Sequence, residues 1–332
     1  MTIFYRLPGR VASRYTTHLG VLRLPGPPLD HPRVTPGPPL GRSLLRIRPS
    51  GYSPAQMMDS APHAPARAEP GPTGLLAPDE PAPFEVFNEA GQAPVLLLCD
   101  HASRFVPRAL DNLGLSEAEL SRHIAWDIGI ADVTRDLAVR LNAPAVLSHF
   151  SRLLVDPNRA HDDPTLIPQL SDGAIVPANR HLPEAARQAR IEAFHRPYHA
   201  AVTRMLDALC ARGPVPALIS MHSFTPMMKG IERPWQIGIL WNRDGRLPMP
   251  LMDRLRTEGL TVGDNEPYSG RDNHGYTLHV HAEPRGLANV LIEVRQDLID
   301  THHGAADWAA RLERALADVL DDPAIHEARP QP

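Results

Sequence analysis

Three short apolar runs, each leading to a histidine or carrying a carboxylate, constrain the fold of this chain more than any other feature. In chain order they offer His101, His222 and Glu293. Short apolar runs bounded by turn signals are typical of buried strands. Ligands of open α/β sheets collect at the carboxyl ends of the strands. If the three strands are neighbours, the sequence predicts that these side chains meet at one edge of a sheet.

Helical patterns between the apolar runs indicate the fold class. Apolar residues recur at helical spacing over residues 130–141 and 184–210, and helices are also predicted over residues 249–258 and 306–320. Strands that alternate with helices indicate βαβ units. We therefore expect one α/β domain over residues 84–325, with a mainly parallel or mixed central sheet and helices on both faces. The other predicted elements are a capped helix from Ser116 and strands over residues 84–88, 94–100, 143–149, 236–241 and 260–262.

Residues 1–83 differ in composition from the rest of the chain. They are rich in proline and arginine and contain few acidic residues. Proline fixes φ and removes a hydrogen-bond donor, so we expect this segment to be a largely disordered N-terminal extension. Three interpretations remain open: an arginine-rich targeting peptide, a flexible interaction arm, or upstream sequence translated from a start assigned too early. Met57 and Met58 offer an internal start for the last of these.

Composition narrows the function classes. The formal net charge of -4 argues against a nucleic-acid partner, because such a partner normally requires a basic face. No apolar run reaches the roughly 20 residues of a membrane span, and the N-terminus lacks the apolar core of a signal peptide. Two cysteines are too few for a disulfide framework or a cysteine-rich zinc module. We expect a cytoplasmic protein that acts on a small molecule, and its oligomeric state stays open.

The strand-end histidines are candidate metal ligands. A catalytic zinc site takes three protein ligands and leaves one position for water or substrate. His101 and His222 fit two of the three. Asp127, in the turn before the helix at residues 130–141, is the best acid for the third, with Asp100 as the alternative. A structural or surface role remains the alternative for any single histidine among the 17 in the chain.

Glu293 is the candidate general base. It lies inside an aliphatic strand, where an unpaired carboxylate is costly to bury. A partner is therefore expected, and water activated by a metal ion is one that it could deprotonate. The alternative is a salt bridge to a neighbour such as Arg295. The other strand-end groups favour the catalytic interpretation.

Two further stretches offer substrate-binding groups. Asn158 and Arg159 follow a strand, and an amide next to a guanidinium fork is suited to binding a carboxylate. A surface ion pair is the alternative for the arginine. Residues 265–277 are polar, rich in turn signals and too long for a plain connector, so they are expected to form a substrate-binding loop. Its candidate donors are Tyr268, Tyr276 and, just beyond, His279.

The chain also carries a set of motifs in a family-specific order. These are CDHAS, WDIG, SRLLVDPNRA, SMHSF, DNEPYSG and IEVRQDLI, spread from about residue 95 to 300. As a set they resemble the N-formylglutamate amidohydrolase family, whose relatives include zinc carboxypeptidases and aspartoacylases. The resemblance covers most of the predicted domain and none of the N-terminal extension. It implies the central-sheet fold of those relatives, one zinc ion and a role in amino-acid catabolism such as histidine degradation.

The resemblance also implies residue roles. His101 would be the first zinc ligand, His222 the later one, Asn158 with Arg159 the carboxylate clamp, and Glu293 the base. The first loop departs from the pattern, because Arg104 stands where carboxypeptidase relatives place a glutamate. The role of the second zinc ligand is therefore assigned to Asp127.

The combined prediction is a metal-dependent amidohydrolase. It would remove the formyl group from an N-formylated acidic amino acid such as N-formyl-L-glutamate, with Arg152 and Arg295 as candidates for stabilising the oxyanion. One alternative is a deacylase or carboxypeptidase-like enzyme acting on another N-acyl amino acid. A second alternative is a non-catalytic relative that binds acidic ligands. This alternative is considered because the acid expected after His101 is missing.

Overall fold

The computed structural model describes residues 74–272 and 274–329. The predicted N-terminal extension lies outside the described residues up to position 73. Where the description begins, Leu75 and Leu76 pack against buried side chains of the domain. These two leucines precede the predicted domain boundary and contribute to the core.

A mixed sheet forms the centre of the fold. Seven strands join in the order β1, β3, β2, β6, β11, β9, β10, while β4 with β5 and β7 with β8 form two small hairpins. Strands β3, β2, β6 and β11 run parallel, whereas β1 and β9 run antiparallel to β3 and β11. The predicted α/β class with a mainly parallel sheet is confirmed. The strands are β1 (Phe84–Phe87), β2 (Val95–Cys99), β3 (Ala145–Ser148), β4 (Leu170–Ser171), β5 (Ala174–Ile175), β6 (Ala217–Phe224), β7 (Met227–Met228), β8 (Ile231–Glu232), β9 (Ile237–Leu240), β10 (Val262–Asp264) and β11 (Asn289–Arg295).

The helices agree with the predicted ones except in two places. The long helix predicted over residues 184–210 contains a π-helical turn, Ile191–His195, that joins α3 to α4. Helix α6 lies partly within the predicted loop. Among the described residues, no helix combines the length and apolar character that a bilayer crossing requires. The helices are α1 (Glu117–Leu120), α2 (Ile130–Leu141), α3 (Glu184–Arg190), α4 (Arg196–Cys210), α5 (Pro248–Thr257), α6 (Tyr276–His281) and α7 (His302–Leu320).

Alternating apolar side chains place helices on both faces of the sheet. In β2, Leu97 belongs to the buried cluster that contains Leu137 of α2. Its neighbour Leu98 belongs to the cluster on the other face, which contains Val202 of α4. Successive strand residues point to opposite faces, so a fully apolar strand needs cover on both sides. This explains why β2 reads as an uninterrupted apolar run.

The same alternation puts two site residues on one face. Leu218 of β6 and Leu291 of β11 both belong to the cluster on the α4 face. His222 and Glu293 follow them at even spacing, so the side chains of these two residues point to the same face. The parallel register pairs Glu293 directly with His222. Strand pairing therefore brings the predicted base next to a predicted ligand.

Candidate active site

His101, Asp127 and His222 form a compact buried group. Each offers one ligand atom, and these atoms lie within 4.8 Å of one another. The Nδ1 atom of His222 lies 2.9 Å from Asp127 Oδ2, and Nδ1 of His101 lies 3.4 Å from the same oxygen. The structure thus brings together the three residues predicted as ligands. A group of two imidazoles and one carboxylate could hold a metal ion.

The loop that carries Asp127 is fixed to the ends of two strands. The Asp127 N–H donates to the His101 carbonyl at 3.0 Å, and the Ser223 N–H donates to Asp127 Oδ2 at 3.2 Å. Gly129 follows with a φ of 81°, and a Cβ there would lie 2.1 Å from the Ile299 carbonyl oxygen. Glycine at this position therefore allows the chain to pass from Asp127 into α2.

In each histidine of the group, the ring nitrogen that faces away from Asp127 contacts a second carboxylate. Nε2 of His101 lies 2.7 Å from Asp156 Oδ1, and Nε2 of His222 lies 3.1 Å from Asp100 Oδ2. Such carboxylates fix the orientation of ligating histidines in metal sites. Asp100, the alternative third ligand, thus lies on the far side of the His222 ring from Asp127. Asp156 belongs to the SRLLVDPNRA motif, but the sequence did not reveal its role.

Asp100 is held in turn by two hydroxyl groups from distant elements. The Tyr198 hydroxyl of α4 donates to Asp100 Oδ1 at 2.7 Å, and the Thr277 hydroxyl of α6 donates to the same oxygen at 3.0 Å. Tyr198 lies within residues 184–210, where apolar residues recur at helical spacing, and its ring is part of a buried hydrophobic cluster. Its hydroxyl group in addition orients the carboxylate behind His222.

The electrostatics of the group favour a cation. Burial alone would lower the pKa of His222, but the hydrogen bonds accepted by Asp100 and Asp127 raise it to about 10. Burial alone would raise the pKa of Asp100, but the hydrogen bond with His222 lowers it to about 2. Burial likewise acts to raise the pKa of Asp127, but the charges and hydrogen bonds of His101 and His222 together outweigh burial and lower the pKa. Ionised carboxylates around two imidazoles form a donor set that fits a divalent metal.

Glu293 is a buried carboxyl group beside the candidate ligands. It is 7% exposed, and no hydrogen-bond partner of its Oε2 atom occurs among the described residues. Burial raises the pKa of Glu293 to about 7, against the lowering effect of the positive charge of His222. A carboxyl group with a pKa in this range can both accept and release a proton near neutral pH.

The two arginines predicted to stabilise an oxyanion lie in different places. Arg152 lines the cavity of the site, where its guanidinium lies 2.9 Å from Asp156 Oδ2 and 3.4 Å from Asp127 Oδ1. Arg295 does not line it. Strand β11 ends at Arg295, and Asp297 then pairs with its Nε atom at 2.8 Å. This pairing also means that Arg295 is not the partner of Glu293.

The site opens into a small cavity of about 140 Å³, which we call the inner cavity. It contains the three candidate ligands, the buried carboxyl group and the predicted carboxylate clamp. The geometry therefore combines groups for metal binding, proton transfer and anion binding in one space. Its lining includes His101, Asp127, His222, Glu293, Arg152, Asn158, Arg159 and Tyr268.

The predicted clamp residues are anchored by their own polar contacts. Asn158 Oδ1 accepts from the Thr277 N–H at 3.1 Å, and Asn158 Nδ2 donates to the His274 carbonyl at 3.2 Å. An amide nitrogen has two N–H donors, so one remains for a ligand. Arg159 donates to the Thr165 hydroxyl at 3.2 Å and to the Asn158 carbonyl at 2.8 Å.

The predicted substrate-binding loop is divided between two cavities. Tyr268 lines the inner cavity, and its ring stacks on His274 with a centroid distance of 5.2 Å. Tyr276 and His279 instead line a separate cavity of about 650 Å³. The start of α6 at Tyr276 changes the direction of the chain, which places these two side chains away from Glu293. Of the three predicted donors, the structure brings only Tyr268 to the site.

A group of four histidines packs against the loop that carries Asn158 and Arg159, and this group was not predicted from the sequence. Nε2 of His199 donates to the Pro157 carbonyl at 2.8 Å, so its Nδ1 accepts from His281 Nε2, also at 2.8 Å. Nε2 of His195 donates to the Arg159 carbonyl in the same way, at 3.1 Å. Nδ1 of His195 then accepts from His161 Nε2 at 3.2 Å. The spacing of His195 and His199 by one helical turn was the available signal.

The burial of these histidines predicts that the fold loses stability as the pH falls. Burial lowers the pKa of His195 and His281 to about 4 and that of His199 to about 3, against 6.5 for an ordinary histidine. As the pH falls below 6.5, the unfolded chain therefore binds protons that the folded chain does not. The free energy of unfolding should fall by about 1.4 kcal/mol per pH unit for each such histidine.

Urea unfolding at pH 7, 6 and 5 measures this effect. The His199→Phe variant should show a slope of unfolding free energy against pH that is smaller by about one proton than that of the wild type. His303→Phe is the matched control, because this side chain is 89% exposed. Equal slopes for wild type and His199→Phe would contradict the assignment.

The fold and the site define an α/β enzyme with a candidate metal centre at the carboxyl edge of its central sheet. Comparison with known proteins specifies the class. The model of the N-formylglutamate amidohydrolase family matches residues 93–300. The chain therefore belongs to the N-formylglutamate amidohydrolase family, which makes it a hydrolase acting on amide bonds. The predicted family is confirmed.

Two solved structures are similar to this chain, and no curated protein sequence matches it. The crystal structure of gene product Atu2144 from Agrobacterium tumefaciens is 37% identical, with a TM-score of 0.73, and the match covers 76% of this chain and all of that one. N-formylglutamate amidohydrolase from Ralstonia eutropha JMP134 is 22% identical, with a TM-score of 0.59 and coverage of 72% and 97%. The latter similarity shows a shared fold.

Proposed function

We propose that this protein is a metal-dependent amidohydrolase that removes the formyl group from an N-formylated acidic amino acid, such as N-formyl-L-glutamate. The products would be formate and the free amino acid. One observation carries the proposal: the unpartnered Glu293 Oε2 lies beside the buried group of His101, Asp127 and His222, in a cavity lined by Arg159. Membership of the family supports amide hydrolysis as the reaction.

The donor set supports zinc as the metal. Catalytic zinc sites use three protein ligands from histidine and carboxylate and keep one position open. We assign the ligands to Nδ1 of His101, Nδ1 of His222 and a carboxylate oxygen of Asp127. When bound there, a divalent metal would act as a Lewis acid that polarises the formyl carbonyl and makes water more acidic.

Glu293 is assigned the proton transfers. Its carboxylate would take a proton from the attacking water and then give it to the leaving amino nitrogen. Its pKa of about 7 suits both steps. Arg152 is held between Asp127 and Asp156 at the wall of the inner cavity. From there its guanidinium would stabilise the negative charge that develops on the carbonyl oxygen.

Arg159 and Asn158 are assigned to the α-carboxylate of the substrate. A guanidinium and an amide N–H together supply the directed donors that a carboxylate requires. The loop is held by the carbonyls of Pro157 and Arg159, which accept hydrogen bonds from His199 and His195. A clamp fixed in this way can set the position of the formyl group relative to Glu293.

Formate release from a matched set of compounds tests this assignment. We expect turnover of N-formyl-L-glutamate with kcat/KM at least about 100-fold above that of N-acetyl-L-glutamate, because an inner cavity of about 140 Å³ suits the smaller acyl group. N-formyl-L-leucine should also be a poor substrate. A preference for acetyl or peptidyl glutamate would identify a different deacylase. Binding without turnover of any compound would indicate a non-catalytic relative.

A further inference from the structure

A second, larger cavity continues from the inner cavity. It has a volume of about 410 Å³, and it shares the side chains of His123, Arg152, Arg159 and Tyr268 with the inner cavity. The hairpins β4–β5 and β7–β8 supply parts of its wall. We call it the outer cleft. Its charged lining consists of Arg152, Arg159, Lys229, Arg233, Asp156 and Asp172.

The charges of the outer cleft leave a surplus of cations. Its two acids already have partners: Asp156 contacts His101 and Arg152, and Asp172 lies 3.0 Å from Arg122. Of the four basic side chains, Arg152 pairs with Asp156 and Asp127, and Arg159 lies 4.0 Å from Asp163. Lys229 and Arg233 remain as the cations that make the outer cleft attractive to an anion. The inner cavity already contains a clamp for one carboxylate, so the outer cleft points to a second.

Arg233 is the residue in the outer cleft that is best placed for this role. Within the described part of the chain, no carboxylate lies within ion-pair distance of it. Its guanidinium donates to the Tyr268 hydroxyl at 3.0 Å and to the Thr225 hydroxyl at 3.2 Å, and it lies 4.9 Å from the Tyr268 ring centroid. These contacts are neutral and leave part of its five N–H donors unused.

Local structure fixes the position of Arg233. It directly follows β8, and its backbone N–H donates to the Pro226 carbonyl at 2.9 Å, which closes the hairpin. Its partner Tyr268 lines both cavities and stacks on His274 of the inner cavity. Tyr268 therefore contacts the Arg233 guanidinium and also borders the cavity that contains Glu293.

We infer that Arg233, assisted by Lys229, binds the side-chain carboxylate of the substrate in the outer cleft. This inference rests on the proposed function and names the residue that would determine its specificity for the second carboxylate of an acidic substrate. Arg159 would hold the α-carboxylate, and Arg233 would hold the second one. The discrimination between acidic and neutral amino acids is thus assigned to an arginine that the sequence analysis did not identify.

The Arg233→Gln variant tests the inference with two substrates that differ in one group, N-formyl-L-glutamate and N-formyl-L-glutamine. A hydrogen bond to a charged group contributes about 1.5–3 kcal/mol, so KM for the glutamate compound should rise by about 10- to 100-fold. KM for the glutamine compound should change by less than about threefold, and kcat should change little for either. Arg233→Lys should recover part of the loss, because it keeps the charge.

Arg271→Gln is the matched control. This arginine also lies over an aromatic ring, 5.1 Å from the centroid of Trp241, but it lines the separate cavity of about 650 Å³. It should leave both KM values unchanged. Thermal unfolding of each variant checks that the fold is kept. Equal KM changes for the two substrates in Arg233→Gln, or no change, would overturn the inference.

Calorimetric binding of the same two compounds separates this inference from the proposed function. A wild-type protein that binds N-formyl-L-glutamate without releasing formate would contradict the proposed function alone. The loss of that binding in Arg233→Gln would still support the inference. A wild-type protein that binds both compounds equally well, or neither, would overturn it.

Discussion

Replacement of Glu293 by glutamine is expected to lower kcat for formate release by a factor of about 10² to 10⁴, the usual contribution of a general acid–base group. Glutamine keeps the size of the side chain but removes its ability to accept a proton. KM should change little, because substrate binding is assigned to the clamp residues Asn158 and Arg159 and to Arg233 instead. The measurement is steady-state formate release with purified wild type and variant.

Thermal unfolding of the variant distinguishes this result from a loss of fold. The Glu293 Oε2 atom is buried without a hydrogen-bond partner among the described residues, and replacing a charged group in such a position removes a cost of burial. The variant should therefore unfold at no lower temperature than the wild type. Glu283→Gln is the matched control, because Glu283 lines the separate cavity. A Glu293→Gln variant with more than half of the wild-type kcat would remove Glu293 from the proton transfers.

The strand-end residues of the site could be predicted from local patterns. An apolar run shows where a strand ends, and parallel strands collect their carboxyl ends at one edge. His222 and Glu293 were predicted on this basis, and the β6–β11 register places them side by side. His101 and Asp127 were found in the turns that follow a strand and precede a helix. The structure brings these four together because their backbone elements are neighbours.

Arg295 shows where a local pattern fails. It lies two residues after Glu293, so alternation within a continuing strand would place both on one face. The strand ends at Arg295, however, and Asp297 binds the guanidinium. Tyr276 fails in a related way, since α6 begins there and directs it into another cavity. The direction of a side chain at the end of a helix or strand depends on the turn next to it. The apolar pattern of the sequence does not predict that turn.

The roles of Asp100, Asp156 and Arg233 could not be predicted from the sequence, because these roles depend on contacts with residues that are distant in the chain. Asp100 and His222 are 122 positions apart, and Asp156 and His101 are 55 apart. Arg233 follows a hairpin whose strands have two residues each, too short to show a period of two. Only the folded chain shows which polar groups share a cavity.

Removal of the proposed metal ion is expected to have the second large effect. Lewis-acid stabilisation contributes several kcal/mol to such reactions, so formate release by the metal-free protein should fall to below about one thousandth of the full rate. The Asp127→Asn variant should show the same defect, because a neutral amide replaces the anionic ligand between His101 and His222. Asp132→Asn, at a half-exposed position in the first turn of α2, is its matched control.

We propose that this buried group holds one metal ion and that amide hydrolysis requires this ion. The most direct measurement is formate release from N-formyl-L-glutamate while chelator-treated wild-type protein is titrated with Zn²⁺. We expect no appreciable turnover at the start, a linear rise, and a plateau at one ion per chain, with no recovery in Asp127→Asn. Turnover at the full rate by protein shown by elemental analysis to contain no metal would contradict it.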